Sequence, residues 1–205
     1  MVYSKVIRSV IVIGILFWTQ MAFAVADPQA LVMKTTEKVL AEIQAKKQEL
    51  SNNPSKIYPM VDEILLPRFD FKLISRLTLG DNWKTATDAE KEAFIKEFRE
   101  LLVRTYATAL LNYSGQEIEY PPVNSQPNSK KVKVRTRVKN AGASAVPIDY
   151  SLYMSKAKQE WKVYDITIDG VSLVSTYRSN FGSQIRRNKL AGLIADLKQK
   201  NAQGK

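Results

Sequence analysis

Lys131-Val132-Lys133-Val134-Arg135-Thr136-Arg137-Val138-Lys139 alternates without a break between long cations and short β-branched residues. Successive side chains of a strand point to opposite faces. The stretch therefore sets its lysines and arginines on a wet face and Val132, Val134, Thr136 and Val138 on an inward one. One solvated and one buried face is the mark of an antiparallel sheet. Reading outward, Asn140-Ala141-Gly142-Ala143 predicts a turn, and Val146, Ile148, Tyr150, Leu152 and Met154 form the apolar face of the next strand. Trp161 to Ile168 is a further strand, ended by Asp169-Gly170. Ile118 to Val123 alternates weakly and ends at Pro121-Pro122, which brings the sheet to about four strands.

Both flanks read as helix. Upstream, Val32, Thr36, Val39, Ile43 and Leu50 recur at helical spacing behind Asp27-Pro28, a cap followed by proline at the first turn. A second helix is predicted over 55–66 with Ile57, Val61, Ile64 and Leu65 inward, and a third over 70–79. Thr87 and Glu90 have capping-box spacing and open the longest helix, whose stripe runs from Phe94 and Phe98 to Tyr113. Downstream, helix is predicted over 171–186 and 188–197, with Lys198–Lys205 as a frayed polar tail. Helices over 27–113, strands over 117–168 and helices over 171–197 make an α+β chain.

The N-terminus carries its own signal. Lys5 and Arg8 precede the apolar run Val10–Trp18, and Ala22-Phe23-Ala24 supplies the small residues of a cleavage site, so residues 1–24 read as a secretory signal peptide. Ala24-Val25-Ala26 is an equally legal frame. The apolar core falls short of the roughly 20 residues that span a bilayer. Cleavage removes two cations and no acid, so the net charge falls from +11 to +9. A cysteine-free chain of this length needs no disulfides outside the cytosol. The absence of histidine excludes Ser-His and Cys-His catalysis and most zinc sites. Nucleic acid is not an expected partner after export; the anionic partners left are lipid headgroups and acidic protein surfaces.

Chemistry-bearing clusters are sparse. Asp149, Asp165 and Asp169 could form a general acid/base set, but the plainer expectation is pairing of Asp149 and Asp165 with Arg135 and Arg137. Gly80 and Gly182 are solitary, so no phosphate loop exists. No enzyme is expected. Tyr106, Leu110 and Tyr113 on the long helix, with Val134, Ile148, Tyr150, Leu152, Tyr164, Ile166 and Ile168 on the strands, describe either an ordinary core or a pocket wall with tyrosyl handles.

Longer stretches add specificity. Arg99-Glu100-Leu101-Leu102-Val103-Arg104-Thr105-Tyr106-Ala107-Thr108-Ala109-Leu110 and Trp161-Lys162-Val163-Tyr164-Asp165-Ile166-Thr167-Ile168-Asp169-Gly170-Val171-Ser172-Leu173-Val174 resemble the MlaC periplasmic lipid carriers, also called the toluene-tolerance auxiliary family. Leu66-Pro67-Arg68-Phe69-Asp70, Leu79-Gly80 with Trp83, Ala86–Glu90 and Tyr177-Arg178-Ser179-Asn180-Phe181 support the likeness in the same order along the chain. Lys189-Leu190-Ala191-Gly192-Leu193 departs from it, lacking the glycine and the Asp often found before the closing Gly-Leu.

The resemblance implies a periplasmic carrier of phospholipid, without other cofactor or metal. It implies shuttling between an outer-membrane lipoprotein–porin complex and an inner-membrane ABC transporter with an MCE-domain ring, maintaining outer-membrane lipid asymmetry. The implied fold is a twisted antiparallel NTF2-like sheet with a helical subdomain, residues 25–205 forming one monomeric domain. On that reading the acyl chains meet the residues just named together with Val171 and Val174. Lys84, Lys91, Arg104, Arg135 and Arg137, beside Lys131, Lys133 and Lys139, are the expected contacts to headgroups or partners. The competing expectations are a periplasmic adaptor with a solid core and no lipid, and a hydrolase working through Asp and Tyr.

Overall fold

The computed structural model describes residues 27–124, 129–139 and 144–203. The predicted signal peptide and the turn at 140–143 lie outside the described residues. Among the described residues five strands pair antiparallel in the order β1 (Ile118–Glu119), β2 (Lys131–Val138), β3 (Val146–Ser155), β4 (Glu160–Ile168) and β5 (Val171–Ser172). In β2 burial follows the alternation, with Val132, Val134 and Thr136 buried and the cations exposed. The strand beyond the expected four comes from Asp169-Gly170. Both residues have positive φ, +49° and +79°, as the central pair of a type I′ turn requires. The chain therefore reverses into β5, and the last helix starts at Leu173 rather than at 171.

A bulge divides the sheet's inner face. Val132, Val134 and Thr136 stand opposite Leu152, Tyr150 and Ile148. Along β4 the pairs Ile148–Ile168, Tyr150–Ile166 and Ser151–Asp165 are followed by Leu152–Val163, so β4 carries Tyr164 as one extra residue. Beyond that point Val163 and Trp161 point inward, and Tyr164 joins Tyr153 on the outer face.

Helices α1 (Pro28–Ala45), α2 (Lys47–Asn52), α3 (Ile57–Ile64), α4 (Phe71–Leu79), α5 (Asn82–Thr85) and α6 (Asp88–Leu111) precede the sheet, and α7 (Leu173–Gln203) follows it. Two caps are those read from the sequence, with Asp27 accepting from the Gln29 amide and Thr87 with Glu90 closing a capping box, and Asp70 adds a third by accepting from Leu73. Gly80 ends α4 at φ +57°, and a Cβ there would come within 2.9 Å of the Arg178 guanidinium. The tail expected to fray is helical to Gln203. Asn201 is 3% exposed and donates through Nδ2 to the Glu97 carboxylate at 2.9 Å and to its carbonyl at 3.0 Å. A polar sequence hid this inward contact. Lys189, at φ +62°, kinks α7 near its middle.

Apolar packing gathers into three clusters rather than the single core usual for a domain. Phe94, Phe98, Phe181 and Leu193 join α4, α6 and α7. Val39, Ile43, Ile57, Val61 and Ala107 join α1, α3 and the far half of α6. Val32, Val132, Val134, Leu152, Trp161 and Val163 join α1 to one half of the sheet. Rings reinforce the first cluster, where Phe98 meets Tyr177 at 5.1 Å and Phe181 at 5.3 Å, both edge-on.

Candidate functional site

Where the three clusters meet, they leave a cavity of about 300 Å³. Its helical wall comes from Thr36, Val39 and Leu40 of α1, Val61 of α3, Leu65 and Leu66, Ile74 of α4 and, on α6, Phe98, Leu102, Val103, Tyr106, Ala107, Ala109 and Leu110. Its sheet wall is Ile148, Tyr150, Ile166 and Ile168, closed off by Leu173 and Val174 at the start of α7. Both walls follow from periodicity: the sheet contributes every second residue, α1 and α6 every third or fourth. Tyr150 lies deep within the protein yet keeps accessible surface, because what it faces is this space.

Of the residues expected to line a pocket, Tyr106, Leu110, Ile148, Tyr150, Ile166, Ile168 and Val174 stand together on this wall. The others stand elsewhere, each for a definable reason. Val134 and Leu152 are fully buried in the solid half of the sheet, packed beneath Val32. Tyr164 is turned outward by the bulge and carries the Lys131 ammonium 6.0 Å from its ring. Tyr113 lies past the end of α6, within electrostatic reach of Tyr120. Val171 pairs with Ile168 in the edge strand and is 56% exposed, so it is not a wall residue. The sequence reading missed the helical wall from Thr36 to Ile74. Thr36, a polar residue inside the apolar stripe of α1, was the available sign of something other than dense packing.

The wall's polar groups are two phenols, one threonine and one carboxylate. Burial pushes the Tyr150 phenol up to about 12, a rise that the nearby Thr136 hydroxyl partly offsets. Burial also pushes Tyr106 up to about 12, with the neighbouring Tyr177 phenol adding to the rise. Asp165 is the one charged residue of the lining. Its carboxylate accepts the Ser172 hydroxyl at 2.6 Å and the Val174 amide at 3.1 Å, which fastens the start of α7 to the sheet. The expected pairing of Asp165 with Arg135 or Arg137 is thus replaced by a helix cap. Asp149 stands opposite Arg135 in register but pairs with Lys133 at 3.6 Å. Asp169 occupies the turn before β5, away from both. These carboxylates do not converge, and among the described residues no group of His, Cys, Asp and Glu could hold a metal ion.

The expected contact cations are dispersed. Lys84 pairs with Asp81 at 2.8 Å, and Lys91 pairs with Asp88 at 3.1 Å while lying over the Trp83 ring. Arg104 is largely covered, bonding twice to Glu100 and stacking on Tyr58 at 5.4 Å. Arg135 and Arg137 are exposed on the sheet's outer face. No described helix is long and apolar enough to cross a membrane.

The family model described as MlaC protein matches residues 33–199. The intermembrane phospholipid transport system binding protein MlaC of Haemophilus influenzae is 27% identical over 186 residues, covering 90% of this chain and 87% of the relative. The toluene tolerance protein ttg2D of Pseudomonas putida is 27% identical over 166 residues, covering 80% and 76%. A phospholipid-binding protein of Ralstonia solanacearum, solved in complex with a phospholipid, superposes with a TM-score of 0.80 at 36% identity, over 87% of this chain and 99% of that one.

Proposed function

The chain belongs to the MlaC protein family, and from that premise we propose that it is a periplasmic phospholipid carrier that shuttles lipid between outer- and inner-membrane complexes and so sustains outer-membrane lipid asymmetry. The observation that carries the reading is the cavity between sheet and helices, apolar but for Thr36, Asp165 and two tyrosines. It occurs in a fold shared with a protein solved with phospholipid bound. Acyl chains cross water only when shielded. At ~0.8 kcal/mol per CH₂, two chains of about 16 carbons represent on the order of 25 kcal/mol of apolar transfer. A wall made mostly of aliphatic side chains, with burial holding both phenols neutral, offers those chains an apolar surface.

In this reading residues 1–24 are removed on export and residues 25–205 act as one monomeric carrier domain. The acyl chains lie between Tyr106 and Leu110 on one side and Ile148, Tyr150, Ile166 and Ile168 on the other, with Val174 at one end. The partners are an inner-membrane ABC transporter with an MCE-domain ring and an outer-membrane lipoprotein–porin complex. The adaptor alternative requires a core without such a space, whereas the three clusters part around the cavity. Native mass spectrometry of protein purified from envelope extracts tests the reading. Bound masses of diacyl phospholipids, lost on delipidation and regained from vesicles, are expected; a persistent apoprotein that takes up no lipid refutes it.

A further inference from the structure

Nothing in the cavity accounts for the other face of the sheet. The start of α4 meets it only at the β4 side, where Tyr153 bonds Asp70, and along β2 it presents the exposed Lys131, Lys133, Arg135 and Arg137 in one row. Same-face neighbours on a strand are about 7 Å apart, so the row is roughly 20 Å long. Counter-charge is thin. Asp149 meets Lys133 at 3.6 Å and Glu119 of β1 stands opposite Arg137 in register, while among the described residues Arg135 and Arg137 form no ion pair within 4.0 Å. Lys162 of β4 is held by Glu160 at 2.8 Å and by the Pro67 carbonyl. Lys139 just beyond the row is taken by Glu117 and Glu119. Four cations on β2 therefore face two acids on the neighbouring strands, Asp149 and Glu119, and Glu119 is shared with Lys139. Tyr153 and Tyr164 supply two rings, one of them already under Lys131.

We propose that this bare basic sheet face docks the protein on the surface of an anionic phospholipid bilayer. The inference rests on the carrier reading only in supposing that the protein works beside membranes. A protein partner would call for a desolvated apolar anchor at the centre of the contact. This face has none, because the bulge sends Val163 and Trp161 inward and leaves lysines, arginines and two half-covered tyrosines outside. A flat row of flexible cations suits the smeared potential of a bilayer, which attracts basic groups within a Debye length of its surface. The geometry adds a consequence. The cavity lies on the opposite side of the same sheet, so a carrier docked in this way keeps its cargo side away from the bilayer. Residence on the membrane and exchange of lipid are then separate events.

The test is sedimentation of the purified protein with vesicles of phosphatidylcholine, alone or with phosphatidylglycerol admixed. Binding to the anionic vesicles only, declining steeply as salt is raised, is expected. Replacing Lys131, Lys133, Arg135 and Arg137 by Gln should weaken it roughly fivefold per cation removed, whereas Lys84→Gln with Lys91→Gln on the helical side should leave it unchanged. Equal binding to both vesicle types overturns the proposal, as does anionic binding that survives the four-fold variant. A wild-type protein that ignores anionic vesicles does the same and points to an acidic protein partner. Phospholipid bound to the four-fold variant is measured in parallel and should be undiminished, so that docking and carriage fail independently.

Discussion

A carboxylate introduced at Ile166 puts the cavity to its hardest test. Ile166 lies mid-strand on the sheet wall, opposite Tyr150. In Ile166→Glu the empty cavity can admit water around the new group, but acyl chains filling the space expel that water. The carboxyl must then be held protonated. From a reference pKa of about 4.3, neutralising it at pH 7 costs about 4 kcal/mol, or roughly 500-fold in lipid affinity. The sign follows from linkage: loading raises the pKa, so loading is favoured below the reference value and weakens as pH rises. At pH 5 the penalty shrinks to about 1 kcal/mol. The assay is phospholipid bound per protein at the two pH values, with circular dichroism to confirm the fold. Val171→Glu is the control, since Val171 is 56% exposed and should keep its cargo at either pH. Ile166→Glu that folds and carries a full load at pH 7 refutes the placement of lipid in this cavity.

Other perturbations probe the frame around it. Thr87→Ala removes the capping box that opens α6 and should lower stability by about 1 kcal/mol in urea titration. Asn201→Ala leaves the buried Glu97 carboxylate without its amide donor, costing about 1–3 kcal/mol in the same titration; an unchanged midpoint would restore the frayed tail. The Tyr150 phenol, ordinarily at 10.0, is held at about 12 by burial. The stability this neutral phenol contributes is fully present below pH 10 and lost as pH rises through 12. Two units correspond to roughly 2–3 kcal/mol, and Tyr150→Phe should flatten the wild-type decline measured by denaturation across that range.

Strands and helices were legible wherever one face is wet and the other dry. The row from Lys131 to Lys139 announced both faces of β2, and Thr87 with Glu90 announced the start of α6. The register of β4 was not legible. Tyr164, Ile166 and Ile168 share a parity that reads as one inward face, and only pairing with β3 creates the bulge that breaks it. Val171 illustrates a related limit. Its parity with Ile168 is real, but the strand it occupies lies at the sheet's edge, where inward parity meets no helix. Core and cavity wall were likewise indistinguishable, since Val134 and Ile148 obey one alternation and differ only in whether a helix side chain fills the space opposite.

The unfilled junction of the three clusters also gives the protein an unusual mechanical response. Folded proteins lose volume on unfolding in rough proportion to the voids that unfolding eliminates. A half-open cavity of about 300 Å³ adds to that volume where its apolar lining keeps water out, and so makes the unloaded form sensitive to hydrostatic pressure. A ligand occupying the void removes that volume deficit, and with it the sensitivity. Pressure thus distinguishes a filled interior from an empty one without reference to what fills it, and the dense half of the sheet, around Leu152 and Trp161, should be the last part of the molecule to yield.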